Sequence, residues 1–241
     1  MNERAVQAVR ETAGQVLVYE QMVNDPYGEA DRMNEVNKEM VNEICDCRYY
    51  KCCGGKTEVW RTCWEDIDVP YIQSVECPYC GRVSERTLRL VLNNYDWETT
   101  DFHDWQVTYT ADELSEIIRT KSGIDFGQII DLIPLKRGAS GRIYELQIVG
   151  TKRTETIGKE LKIRLWLSKT CLYSSWFEVE KSFSSPTRGG REGLFHLTGH
   201  GWGHGAGLCQ IGAAQMAEEG FSHEEILAHY YVGTRISTTK S

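Results

Sequence analysis

Residues 199–212 read GHGWGHGAGLCQIG, and the spacing inside this run directs the reading of the whole chain. Glycine stands at positions 199, 201, 203, 205 and 207. In an extended backbone successive side chains face opposite ways. His200, Trp202, His204, Ala206 and Leu208 are therefore expected on one face, with bare backbone on the other. Glycine weakens an ordinary strand, so five in register point to close approach by another backbone or a ligand. On a helix, His200 and His204 would form a metal-type pair four residues apart. Glycine costs about 1 kcal/mol per helical position, which argues against that helix. The run also lacks the Gly-Lys-Ser/Thr ending of a phosphate loop. Two readings stay open: a surface that offers indole and imidazole rings to a sugar or other polar ligand, or a tight turn with buried, hydrogen-bonded histidines.

The flanks have clearer periods. From Gln210 to Glu219, Ile211, Ala214 and Ala217 recur at three-residue spacing, and Gly220 is a C-terminal stop. Ser222 and Glu225 form a capping box, with Phe221 and Ile226 as its hydrophobic staple. The glycine run should thus feed a C-terminal helical hairpin. Thr110 and Glu113 make a second capping box, opening a helix that ends at Gly123. Residues 129–135, 142–149 and 153–157 are rich in β-branched side chains between glycine turns and read as a β-meander. Strands are expected at 14–19, 176–183 and 193–197, with loops at 93–104 and 184–192. Residues 85–92 and 159–167 fit either a short helix or a strand. Residues 25–42 are polar and aperiodic, a loop or an exposed helix. The class is α+β, with a mixed or antiparallel sheet.

Composition bounds the rest. The chain has 241 residues, 41 % of them apolar and 26 % charged, enough to bury a real core. The net charge of −8, with no basic cluster, argues against nucleic acid and anionic membranes as partners. No stretch approaches the roughly 20 apolar residues of a membrane span, and the N-terminus lacks the apolar core of a signal peptide. Of nine cysteines, seven fall between Cys45 and Cys80, with Cys171 and Cys209 apart. The odd total and the adjacent Cys52–Cys53 do not read as a secreted disulfide framework. Cys77-Pro-Tyr-Cys80 has the shape of a zinc knuckle, and Cys45, Cys47, Cys52, Cys53 and Cys63 lie near enough to supply a second ligand pair, with Cys53 and Cys63 the chosen candidates. Reduced buried thiols or a redox pair are the other readings. Glu58, Glu113 and Glu192 are carboxylates whose spacing recommends none of them for catalysis, and a surface position is the default for each.

Four segments carry a family resemblance. HLTGHGWGHGAGLCQIGAAQMAEEGFSHEEILAHYYVGT, residues 196–234, resembles the C-terminal signature of the sporulation stage II protein D family, also called the amidase enhancer or LytB-type family. AVRETAGQVLVY (8–19), KCCGGKTEVW (51–60) and PYIQSV (70–75) resemble its A-x-x-x-T-x-G-x-V-L segment, its S-G-G-x-T loop and its P-Y-L segment, in the same order. The resemblance covers nearly the whole chain, as one domain over residues 1–241 with a cysteine-rich segment at 45–80.

That resemblance implies a cell-envelope protein acting on the glycan strands of peptidoglycan, either as a lytic transglycosylase or as a non-catalytic enhancer of a cell-wall amidase. A zinc-dependent interaction module is the unrelated alternative. The family's catalytic glutamate precedes the A-x-x-x-T segment, which begins here almost at Met1. This chain is therefore expected to be an N-terminally shortened member with no catalytic residue of its own. His200, Trp202, His204 and Gln210 are the expected glycan contacts, with Gly54, Gly55 and Lys56 on a facing wall. No cofactor is required for that role. Some members of the family hold zinc through a histidine in the S-G-G loop; Tyr50 occupies that position here.

Overall fold

The computed structural model describes residues 3–24, 38–92, 101, 103–183 and 193–238. The chain begins with helix α1 (Glu3–Glu11), then strands β1 (Gln15–Asn24), β2 (Lys38–Ile44) and β3 (Tyr49–Tyr50). Two short helices, α2 (Trp60–Cys63) and α3 (Glu85–Val91), lead to β4 (Asp104–Thr110) and α4 (Ala111–Ser122). The meander follows as β5 (Ile129–Arg137), β6 (Ile143–Gly150) and β7 (Thr154–Ile157), then α5 (Glu160–Trp166), β8 (Phe177–Phe183) and β9 (Gly193–His200). Strand β10 (Leu208–Cys209), helices α6 (Gln210–Glu218) and α7 (His223–Tyr230), and β11 (Thr234–Thr238) complete the described chain.

The strands form small sheets rather than one large one. Sheets β11-β1-β2, β4-β9-β8 and β5-β6-β7 are antiparallel, and β10 pairs with β3 in parallel. The α+β class and the meander stand as expected from sequence. Both capping boxes form with reciprocal bonds, Thr110 with Glu113 and Ser222 with Glu225. The two ambiguous segments are helical, as α3 and α5.

Three expectations need correction. Residues 38–42 are not loop or helix; they belong to β2, where Tyr19 pairs with Glu43 and Met22 with Met40. The rest of that segment, 25–37, lies outside the described residues, as do 93–100, 102 and 184–192. Asp104 belongs to β4, whose Trp105 is buried against β9. The glycine run is the third. Strand β9 ends at His200, and Gly201, Gly203, Gly205 and Gly207 take φ of 75°, 110°, 89° and 85°. A left-handed residue at every second position turns the ribbon out of an extended path, so its side chains do not share one face.

What the glycines admit is another part of the same chain. A Cβ at Gly201 would fall 2.7 Å from the Cys53 carbonyl carbon, one at Gly203 2.7 Å from Tyr50 Cβ, and one at Gly207 2.2 Å from Arg48 O. The ribbon is thus laid against residues 48–53, and Cys52 and Trp202 exchange both backbone hydrogen bonds at 2.7 and 3.0 Å. On its far side the 53–58 segment is stitched to residues 75–77, through Thr57 N to Val75 O and Cys77 N to Gly55 O.

Two clusters of buried apolar side chains flank this crossing. One gathers Tyr50, Trp60, Ile72, Ile211, Met216 and Tyr230 with most of the cysteines; the other gathers Trp105, Leu114, Ile148, Ile163, Phe177 and Leu197. Between them runs a buried polar network. Arg142 has no exposed surface and donates to Cys53 O (3.2 Å), Lys56 O (3.5 Å), Gly203 O (3.4 Å) and Ser140 Oγ (3.0 Å). Ser140 Oγ donates in turn to Glu58 at 2.6 Å, and the same carboxylate accepts from the backbone N–H groups of Val59, Ala139 and Ser140. A buried charge is tolerable only when its hydrogen bonds are made, and the glycines are what let the carbonyls reach it. A Cβ at Gly205 would lie 2.4 Å from Arg142 Cζ.

Gly205→Ala is therefore expected to cost more than a left-handed conformation alone. We expect a loss of about 2 kcal/mol or more from added displacement of the guanidinium. Gly123→Ala, at φ 72° with nothing within 4 Å, should lose about 1 kcal/mol. Urea denaturation of both variants decides the matter, since equal losses would remove the Arg142 contact as a determinant.

Candidate functional site

The site is built where the Cys53-Gly54-Gly55 turn meets the ribbon. Gly54 is buried with φ 78°, and a Cβ there would lie 2.7 Å from Gly201 N and 2.9 Å from His200 Cβ. Gly55, at φ 110°, faces His103, whose Nε2 is 3.9 Å from the position of a Cβ. The turn therefore abuts His200 and His103 rather than standing opposite His204 across a groove. The reason is the curl of the ribbon, which carries successive rings to different neighbours.

Each ring of the run has its own setting. His200 Nδ1 bonds Asp104 at 2.6 Å, its ring 4.9 Å from that of Trp176. Asp104 also holds His103 Nδ1 at 2.7 Å. Burial would raise the Asp104 pKa, but the bonds from His103 and His200 outweigh it and hold it below the ordinary carboxylate value. Trp202 is half-buried, perpendicular to Tyr173 at 5.2 Å, with Lys51 Nζ 4.0 Å from its ring centre. Gln210, the first residue of α6, is exposed. Lys56 is half-exposed and paired with Glu76 at 2.9 Å.

His204 turns inward. Its Nε2–H donates to Tyr49 O at 3.1 Å, and its Nδ1 accepts from Ala206 N at 3.2 Å. Tyr50 and Trp64 pack against the ring at 5.1 and 4.8 Å. Burial is the main cause that lowers its pKa, to about 4, with the cation of Arg142 adding to it. Both nitrogens are occupied by backbone, while His204 and His200 are each half-buried by surface exposure.

The carboxylates weighed from sequence have structural tasks. Glu58 is fully buried rather than a surface residue, and four donors surround it. Glu113 closes the capping box of α4. Glu192 lies outside the described residues. A cleft of about 730 Å³ lies beside α2 and the β5–β6 hairpin, lined by Arg61, Lys136, Arg137, Tyr144 and Lys159 among others. No residue of the glycine run lines it. Its cations are engaged, Arg61 with Asp68, Lys136 with Glu145 and Arg137 with Glu178.

Beside the turn lies a set of thiols. The Sγ atoms of Cys53, Cys77, Cys80 and Cys209 all fall within 4.8 Å of one another, and all four residues are buried. Three of these were candidates from sequence; Cys63 is not among the four, and its thiol instead donates to His204 O at 3.3 Å. Cys209, which completes the set, stands 156 positions after Cys53. No spacing rule reaches that far, although Cys209 sits inside the glycine run itself. Burial pushes the Cys209 thiol well above its ordinary value, while hydrogen bonds from Cys209 hold Cys77 and Cys80 below theirs. His103 is pushed up to about 9, first by its hydrogen bond to Cys80 and then by Asp104.

Comparison with known proteins agrees with the motifs. Stage II sporulation protein D of Bacillus amyloliquefaciens is 25 % identical over 241 residues, 99 % of this chain and 52 % of that protein. Stage II sporulation protein D of Bacillus subtilis (strain 168) is 26 % identical over 198 residues, 81 % of this chain and 46 % of that protein. The Amidase enhancer of Bacillus subtilis (strain 168) is 34 % identical over 77 residues, 32 % of this chain and 10 % of that protein. The chain spans about half the length of the two sporulation proteins it matches. Residues 58–207, which include α2, every strand from β4 to β9 and most of the glycine ribbon, match the family described as "Domain of unknown function (DUF8618)", and the chain belongs to that family.

Proposed function

We propose that the chain is a cell-wall module that binds glycan strands of peptidoglycan where the Cys53-Gly54-Gly55 turn meets the His200–Gln210 segment. The observation that carries this reading is that contact itself. Two segments far apart in sequence, each resembling a signature of the sporulation stage II protein D family, are packed together with Gly54 against Gly201. The names of the relatives, Stage II sporulation protein D and Amidase enhancer, support a role at the wall.

The chemistry of the junction suits an acetylated sugar chain. The Trp202 ring, half-buried and carrying Lys51 over it, is an aromatic surface of the kind sugar rings stack on. Gln210 and His200 supply an amide and an imidazole for hydroxyl and acetamido groups. Lys56 can exchange Glu76 for a carboxylate on the ligand. His204 serves from behind: neutral and doubly bonded to backbone, it fixes the ribbon against Tyr49 and Tyr50.

Cutting the glycan by transglycosylation would need a sheltered carboxylic acid. Glu58 and Glu113 are committed to internal hydrogen bonds, and Asp104 is held ionised between two histidines. The reading is therefore binding, with any cleavage dependent on a carboxylate outside these positions. A second reading, stimulation of a cell-wall amidase, draws on the name of one relative alone.

Co-sedimentation with purified peptidoglycan sacculi tests the proposal. Binding is expected, and Trp202→Ala should weaken it roughly tenfold, as loss of a central aromatic contact does, while urea unfolding confirms that the variant is folded. Failure to sediment, or sedimentation indifferent to Trp202→Ala and Gln210→Ala together, would sink the assignment. Mass spectrometry of the soluble fraction would reveal anhydro-muropeptides if cleavage accompanies binding.

The His204 setting gives a separate expectation. Its folded pKa lies below the unfolded value of about 6.5, so the unfolded chain takes up the extra proton. Its contribution to stability is complete above that pH and declines as pH falls toward about 4. An NMR titration should show an Nε2–H tautomer with a midpoint near 4; an ordinary midpoint near 6.5 would contradict the packing of the ring between Tyr50 and Trp64.

A further inference from the structure

We propose that Cys53, Cys77, Cys80 and Cys209 hold one zinc ion in a closed tetrathiolate site that fastens the Cys53-Gly54-Gly55 turn to the start of α6. The inference goes beyond the wall-binding reading and does not depend on it. Its basis is four buried sulfurs brought together from three separate stretches of chain.

The dimensions fit one ion. Zinc binds thiolate sulfur at about 2.3 Å in a tetrahedron, which sets sulfurs about 3.8 Å apart. Here Cys53 and Cys80 sulfurs are 3.3 Å apart and none of the four is more than 4.8 Å from another. A thiol-only set also selects the metal class, since soft tetrahedral S4 sites belong to zinc or iron–sulfur centres. A multi-iron cluster would spread the cysteine sulfurs further apart than these stand.

The surroundings are those of thiolates rather than idle thiols. Gly55 N–H points to Cys53 Sγ at 3.4 Å, and both Cys53 N–H and Gly212 N–H point to Cys209 Sγ at 3.3 Å. The Tyr230 hydroxyl lies 3.2 Å from Cys77 Sγ. Donors of this kind orient metal-bound ligands and offset their charge. Cys209 is moreover the N-cap of α6, so its sulfur sits at the positive end of a helix of nine residues. Glycine at 212 is required as well: a Cβ there would lie 2.7 Å from Cys77 Sγ and 3.2 Å from Cys209 Sγ.

With four protein ligands the coordination shell is full. Such a site holds structure and leaves no position for water or substrate, as in other closed zinc sites. The ion therefore acts as a rivet. It joins the turn that carries Gly54, the knuckle of Cys77 and Cys80, and the helix that follows the ribbon.

The test is metal analysis of the chain purified without chelator. About one zinc per chain is expected, released as thiols are titrated with an organomercurial and read by a zinc dye. Cobalt substitution should give the intense visible bands and the thiolate-to-cobalt charge transfer of a tetrahedral S4 site. Removing the metal should lower the melting temperature by roughly 10 °C or more, restored by added zinc. Cys209→Ser should lose the metal, whereas Cys63→Ser and Cys171→Ser should keep it. Because the wild-type chain alone supplies the stoichiometry and the cobalt spectrum, misfolding of a variant leaves the test intact. Iron in place of zinc, disulfides among the four cysteines, or a chain that stays metal-free in excess zinc would each overturn the proposal.

Discussion

The Arg142 guanidinium, stripped of all solvent, is the constraint on which the rest of the structure depends. A cation in that position demands acceptors, and it draws them from three directions: Cys53 and Lys56 in the turn, Gly203 in the ribbon, and Ser140 beside Glu58. A hydrogen-bonded lattice of carbonyls, one hydroxyl and one carboxylate fills the joint between the two apolar clusters. Apolar packing of similar volume can match such a network in stability, but it carries less directional information. Here the direction matters, because every acceptor must arrive along its own line.

The glycines of the ribbon follow from the same demand. Their regular alternation looks like the preparation of a surface for a ligand. In the folded chain it instead makes room for Tyr50, Arg48 and the Cys53 carbonyl, with Arg142 against Gly205. Alternation reports only that side chains are missing at every second position. What occupies the vacated space depends on tertiary neighbours that a linear pattern does not name. The same limit hid the role of Glu58, three of whose four donors come from a turn 81 and 82 positions further along.

Local signals stand out in the sequence. The capping boxes at Thr110 and Ser222 are set by contacts three residues apart, and the meander by β-branched runs between glycine turns, so both are legible. Strands β2 and β11 are not. Lys38–Ile44 alternates weakly and leaves Met40 and Ile44 exposed, and among the described residues its pairing partner is β1. Thr234–Thr238 is short and becomes a strand by pairing with β1 at Tyr19 and Gln15. Of the candidate metal ligands, the Cys77–Cys80 knuckle was visible because a C-x-x-C turn is local. Cys209 was visible only as a residue of another motif.

Cys209 and β11 share a further property, which concerns the order of assembly. Strand β1 lies near the beginning of the described chain, yet its partner β11 is the last described strand. The tetrathiol set likewise waits for a cysteine 156 positions after its first member. A growing polypeptide thus carries β1, the turn and the knuckle unfinished until Cys209 and β11 have been synthesised. Closure then comes late, with long-range contacts of the kind that slow folding and leave strand edges open in the meantime. During that interval the early thiols and the open edge of β1 are the parts most exposed to wrong pairing.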